Sequence, residues 1–212
     1  MAETTQTKTA YNEIKRRILF QELLPNERLK EEAWAKRLGV NRAALRESLT
    51  RLQGEGLVYP GERGGYFVAG LTEQDVHEIR ELREVLETAA FELACTRATP
   101  HQVKEILETC EDFAHMAKRG YSTGACEVDL RFHHLLVGAS GNARLTQAYQ
   151  QSNIPLFHMQ LGRSSAFMDD MAETEKEHRA IAEALRKKDA AKGVELLRAH
   201  FRRGEKGVLG NT

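Results

Sequence analysis

The sequence predicts a mainly α protein: a winged helix-turn-helix over residues 1–70, followed by an all-α bundle over residues 71–212. Three observations carry this. Only 4 prolines and 7% aromatics, amid abundant Ala, Leu, Glu, Lys and Arg, favour helices. Two short apolar stripes of helical spacing flank Gly39-Val40-Asn41 and lead into a glycine-rich hairpin pattern. Beyond Thr72 no strand-like alternation recurs.

The elements follow in order. Thr9–Leu23 places Ile14, Ile18 and Leu19 near helical spacing, and Pro25 stops it. Leu29–Leu38 carries Leu29, Ala33, Trp34 and Leu38 on one face, before the Gly39-Val40 break. Asn41 offers a side-chain cap to Arg42–Gln53, whose stripe is Leu45, Leu49 and Leu52. Leu57-Val58-Tyr59, the turn Pro60–Gly65 and Tyr66-Phe67-Val68 then read as strand, turn, strand.

In the second part, Thr72 with Asp75 resembles a capping box ahead of Val76, Ile79, Leu82, Val85, Leu86 and Ala89. Thr99-Pro100 starts the next helix as N-cap and first-turn proline. Further helices are expected at about 123–139, 143–168 with a kink at Pro155, 173–187, and 190–204 behind an Asp189 cap.

Composition sets limits. With 41% hydrophobic and 29% charged residues the chain can build a core. No run of 18 apolar residues is present, so no membrane helix is expected. The start, MAETTQTKTAYNE, lacks the basic and apolar regions of a signal peptide, so secretion is not expected. Cys95, Cys110 and Cys126 lack CxxC spacing, which fits reduced thiols in a cytoplasm. The 31 basic and 31 acidic residues cancel, but 12 basic against 9 acidic fall in residues 1–70. The excess concentrates between Lys30 and Arg51, the distribution of a nucleic-acid reader joined to a separate control domain. On charge alone a solvated helical surface explains it equally well.

Eight histidines are present. His77, His101, His115 and His158 have no defensible ligand spacing. Asp129 and His133 lie four apart, so a helix projects them onto one face toward one cation. His178 and His200 sit beside apolar stripes (Ile181, Leu185; Leu196, Leu197) and could face a bundle interior. Hydrogen-bonded core histidines and metal ligands remain equally open on spacing alone.

From Tyr11 to Val68 the L-P-x-x-x-L turn, L-G-V-x-R, L-R-E-x-L-x-R-L, G-L-V and the wing G-x-F-V closely resemble the DNA-binding domain of the GntR family of bacterial transcription regulators. The sequence departs at Asn41, where Ser or Thr is usual, at Ala43-Ala44, and at Trp34. The resemblance implies a recognition helix in the major groove. Arg42 and Arg46 then read guanine edges or clamp phosphate, Arg51 meets phosphate or its own domain, and Gly64 and Gly65 let the wing approach DNA.

The runs D-L-R-F-H-H-L-L-V-G-A-S-G-N, E-K-E-H-R-A-I-A-E-A-L and L-L-R-A-H-F resemble the FCD-type ligand-binding domain of the FadR subfamily. That resemblance implies a divalent metal, zinc first and nickel or manganese as alternatives, held by Asp129, His133, His178 and His200. His134 points about 100° away from its neighbour and is left out. It also implies an organic-acid effector at the metal, with Arg83 facing it and Asn142 either lining the pocket or capping a helix.

The expected function is therefore a cytoplasmic homodimeric regulator that binds double-stranded operator DNA under effector control, and not an enzyme. The alternatives are a metal-dependent hydrolase or a structural-metal protein carrying a DNA-tethering domain.

Overall fold

The computed structural model describes residues 5–19, 22–62, 64–152 and 165–209. Pro155, expected to kink a helix, and His158 lie outside these. The chain divides into two compact units, Met1–Leu71 and Thr72–Thr212.

The first unit contains α1 (Thr5–Leu19), β1 (Arg28–Leu29), α2 (Glu31–Leu38), α3 (Arg42–Gly54), β2 (Val58–Pro60) and β3 (Tyr66–Val68). The face of α1 carrying Ala10, Tyr11, Ile14 and Ile18 buries against Leu45, Leu49 and Leu52 of α3. Gly39, at φ 66, ends α2 in the left-handed conformation, and three residues later α3 begins. The strands form an antiparallel sheet in the order β1-β3-β2, with Leu29 opposite Tyr66 and Val58 opposite Val68.

Two sequence expectations need correction here. Leu29 does not open the second helix; it is a strand residue, fully buried in the ladder with β3. Its spacing to Ala33 mimics a helix face, whereas its partner strand lies almost forty residues away and is invisible to local periodicity. The first helix begins earlier and does not reach Leu23, which lies outside it and donates its N–H to the Arg17 carbonyl at 3.1 Å.

The second unit holds α4 (Glu73–Arg97), α5 (Pro100–Lys118), α6 (Ser122–Gly138), α7 (Ala143–Gln151), α8 (Ser165–Arg186) and α9 (Ala190–Leu209). Both Thr72 and Thr99 form reciprocal capping boxes, with Asp75 and Gln102 respectively. Asp189 accepts the Lys192 N–H ahead of α9.

The expected helix break between Met168 and Glu173 is absent, since α8 runs through it. Asp169-Asp170 looks like a cap by composition, but Arg203 donates to Asp170 at 2.6 Å and Met171 is buried, which keeps this stretch within the helix.

Helix α4 packs on α9 and α6, α5 on α6 and α8, and α8 on α9. Phe91, Phe132, Leu136, Ile181, Leu197 and Phe201 are essentially fully buried in the shared core. Each contributes about 1.5–3 kcal/mol by leaving water. Among the described residues no helix is long and apolar enough to cross a membrane.

Candidate metal centre and nucleic-acid interface

The exposed face of α3 begins at its cap. Asn41 Oδ1 accepts the Ala44 N–H at 2.8 Å, while Gln6 Oε1 accepts both the Asn41 N–H (3.0 Å) and its side-chain amide (2.8 Å). Asn41 thus does the work of the usual Ser or Thr, and α1 holds it in place. Ala44 turns into the core while Ala43 stays exposed. Arg42 and Arg46 project from one face and are about two-thirds exposed, paired to Glu32 (2.6 Å) and Glu31 (2.9 Å) of α2. The bond to Glu31 raises the Arg46 pKa further, so it is cationic at any relevant pH.

Arg51 is placed differently. Its guanidinium lies 3.7 Å from the Tyr11 ring centroid and pairs with Glu55, which also accepts from Lys15 and Tyr11. This ties Arg51 to its own domain. In the wing, Gly64 and Gly65 have φ of +79° and +83°, a conformation that strains any residue with a Cβ. The Gly64 carbonyl accepts from Arg28 at 3.1 Å.

In the second unit, one turn of α6 presents Asp129 and His133, α8 presents His178 and α9 presents His200. All four are buried, and their ligand-type atoms lie within 4.8 Å of one another. His133 Nε2 is 3.2 Å from His200 Nε2, and His178 Nε2 is 3.1 Å from Asp129 Oδ1. Phe132 stacks on the His178 ring at 4.2 Å and Phe113 meets its edge at 5.3 Å.

Burial pushes His133 down to about 3 and also lowers His178, so both imidazoles are neutral, the form that binds cations. His134 is turned away, with its ring edge-on to Tyr149.

Two carboxylates that sequence reasoning missed stand behind this cluster. Glu87 Oε2 takes His133 Nδ1–H at 2.5 Å, and its other oxygen accepts from Arg83 Nε (2.8 Å) and the Tyr149 hydroxyl (3.0 Å). Burial alone would raise the Glu87 carboxyl, but the buried Arg83 guanidinium and the hydrogen bonds from Arg83 and His133 outweigh it and keep it ionised. Glu177 Oε2 takes His200 Nδ1–H at 2.6 Å, and Arg203 donates to both Glu177 oxygens. Burial opposes ionisation there too, yet Arg203 and His200 hold Glu177 at about 2.

The four-residue spacing of Arg83 and Glu87 was the one available sequence signal for this arrangement. Glu177 is adjacent to His178 and gave none.

These bonds decide whether a metal fits. With Nδ1 of both His133 and His200 donating to carboxylates, each ring presents its Nε2 to the other across 3.2 Å. Two ring nitrogens this close need a cation between them, a shared proton or a metal ion. His178 Nδ1 has no hydrogen-bond partner among the described residues. Three imidazoles and a carboxylate form a donor set suited to zinc, nickel or manganese.

Arg83 is buried, its guanidinium 4.6 Å over the Phe201 ring. Asn142 caps α7, with Oδ1 accepting from Arg144 and Leu145 N–H.

Comparison with known proteins gives a consistent picture. The model of the gntR family of bacterial regulatory proteins matches residues 6–68, and the FCD domain model matches residues 78–203. The chain is 31% identical to an uncharacterized HTH-type transcriptional regulator, YdhC, of Bacillus subtilis, over 90% of this chain and 85% of that protein. It is 26% identical to the HTH-type transcriptional repressor GlaR of Escherichia coli, over 90% of each. Among solved structures, E. coli McbR/YncC superposes with a TM-score of 0.81 at 20% identity, covering 94% of each chain. A GntR regulator from Rhodococcus reaches 0.83 at 20% identity, over 99% of this chain and all of the other.

Proposed function

Because the chain belongs to the GntR family of transcriptional regulators and carries an FCD domain, we propose that it is a homodimeric operator-binding regulator controlled by a small organic acid bound at a metal. The observation that carries the proposal is the convergence of Asp129, His133, His178 and His200, with His133 Nε2 and His200 Nε2 3.2 Å apart.

Charge supports an acidic effector. Arg83, Glu87 and Asp129 are the fully buried charged groups of the site and together carry a net charge of −1. A divalent cation reverses this to about +1, and in low dielectric such an excess favours an anionic ligand. When bound, the metal supplies Lewis-acid attraction for a carboxylate or hydroxyl oxygen. Arg83 contributes a guanidinium able to pair a second carboxylate bidentately, and the Asn142 amide can donate from the α7 terminus. Phe113, Phe132 and Phe201 exclude water around these groups.

In the first unit, Arg42 and Arg46 meet base edges or phosphates, and Gly64 and Gly65 bring the wing backbone to the duplex. Two such heads in a dimer must match half-sites a DNA turn apart, so a small change in their relative orientation weakens both contacts at once. A 5–150-fold effector response corresponds to a coupling of about 1–3 kcal/mol.

A hydrolytic reading requires a general base near the ligands. The two neighbouring carboxylates, Glu87 and Glu177, are each held by an arginine and a histidine. That favours a sensor over an enzyme.

The test measures duplex binding by fluorescence anisotropy with a panel of small mono-, di- and tricarboxylates, before and after chelation. The proposal expects an acid-dependent change in affinity that chelation abolishes. It also expects His178→Ala and His200→Ala variants that stay folded and bind DNA but respond weakly or not at all. Undiminished coupling in those variants would refute the metal-centred control. Unfolding on chelation would mark a structural metal, and turnover of a substrate would mark an enzyme.

A further inference from the structure

Two chains of contacts of the same chemical order converge on the cluster. Arg83 donates to Glu87, Glu87 accepts from His133 Nδ1, and His133 Nε2 faces the cluster. Arg203 donates to Glu177, Glu177 accepts from His200 Nδ1, and His200 Nε2 faces the same point. The chains come from different elements, α4 to α6 in one case and α8 with α9 in the other. They meet with their two Nε2 atoms 3.2 Å apart.

We propose that Glu87 and Glu177 are positioning residues for the metal: each fixes one histidine in the tautomer and ring orientation that presents Nε2. The inference rests on the metal reading given above and extends it to residues outside the four ligands.

The physical reason lies in the imidazole. A neutral ring carries one N–H, and whichever nitrogen holds it cannot bind a cation. A carboxylate at Nδ1 keeps the proton there and makes Nε2 the stronger donor. The carboxylate must itself stay ionised in a dry interior, which requires a cationic partner, and Arg83 and Arg203 provide one each.

His178 and Asp129 are arranged otherwise. Their side chains face each other directly at 3.1 Å, and no carboxylate backs His178 Nδ1 among the described residues. The site thus has two histidines held through Nδ1 by carboxylates and a third, His178, held by ring packing against Phe132 and Phe113. Glu87 has a second consequence, because its other oxygen holds Arg83: the group that orients a ligand also orients the arginine expected to meet the effector.

The experiment uses the full-length protein with Co(II) and Zn(II) as probes. Affinity is measured against a competing chelator for wild type, Glu87→Gln, Glu87→Leu, Glu177→Gln and Glu177→Leu. The double variant Arg83→Met/Glu87→Leu accompanies them, because it leaves no unpaired buried arginine should Glu87→Leu fail to fold. The expected loss is 10–100-fold for each Leu variant, the usual effect of removing such a partner, and less for Gln, whose amide oxygen still accepts the Nδ1–H.

Proton NMR of the Co(II) form adds a readout that general loosening would not move selectively. Wild type should show two slowly exchanging, metal-shifted ring N–H signals from His133 and His200. Glu87→Leu should remove or hasten exchange of one, and Glu177→Leu of the other. Folded Leu variants, or a folded double variant, with wild-type affinity and both signals would overturn this inference alone. Failure of the wild-type protein to bind either metal would overturn it together with the metal reading beneath it.

Discussion

Replacing Gly193 with alanine tests how the helix packing builds the site. Gly193 lies on α9, two turns before His200, and is buried where α9 crosses α4. A Cβ there would run into two ring carbons of Phe91, far inside the roughly 3.4 Å at which ordinary contact begins. Phe91 is fully buried one turn beyond Glu87, so the ring has nowhere to retreat and the helices must separate.

Overpacking of this kind costs about 1–3 kcal/mol, and the contacts here put it toward the upper end. Alanine's better helix propensity offsets up to ~1 kcal/mol. The net expectation is ~1–2 kcal/mol of destabilisation, or roughly 2–8 °C in Tm for a domain of this size. Separation of α4 from α9 also moves His200, on α9, relative to Glu87, on α4, so metal affinity should fall with stability.

Urea unfolding of the metal-free protein reads the first effect and chelator competition the second. Gly204→Ala, on the same helix with nothing within 4 Å of the added carbon, is the control and should stabilise by about 0.5–1 kcal/mol. Phe91→Leu should recover part of the Gly193→Ala loss. A Gly193→Ala protein as stable as wild type, with unchanged metal affinity, would show that this close crossing does not set the site.

Two further expectations concern the head and the thiols. Arg46→Ala should weaken binding to a cognate duplex by ~1–3 kcal/mol if it reads a base edge, and weaken cognate and scrambled duplexes alike if it meets phosphate. Anisotropy titrations at several salt concentrations separate the two, and unchanged affinity for both duplexes would remove Arg46 from the interface. Cys95, Cys110 and Cys126 are all buried, and burial pushes the Cys110 thiol up to about 12. At pH 8 mass spectrometry should find none of them alkylated by iodoacetamide in the native protein and all three in denaturant. Rapid native labelling of Cys110 would contradict its packing.

Local chemistry made much of this molecule legible in the sequence. Asn41, Thr72, Thr99 and Asp189 each cap a helix as their side chains dictate, because capping involves atoms three residues apart. The apolar stripe of α3 is buried as its spacing requires. Asp129 and His133 share a helix face for the same reason, one turn of 3.6 residues.

What the sequence left open depended on distance along the chain. Leu29 became a strand because its partner is β3, and Met168–Glu173 stayed helical because Arg203, more than thirty residues on, reaches Asp170. Arg51 faces Tyr11 rather than solvent alone because α1 packs across α3. His178 and His200 could have been ordinary core histidines on spacing alone. Only the packing of α6, α8 and α9 brings them to Asp129 and His133. Glu177 carried no recognisable pattern and Glu87 only its four-residue spacing to Arg83, since a carboxylate's partner is fixed by where the helices cross, and helix crossings are set by side chains such as Phe91 and Gly193 meeting in three dimensions.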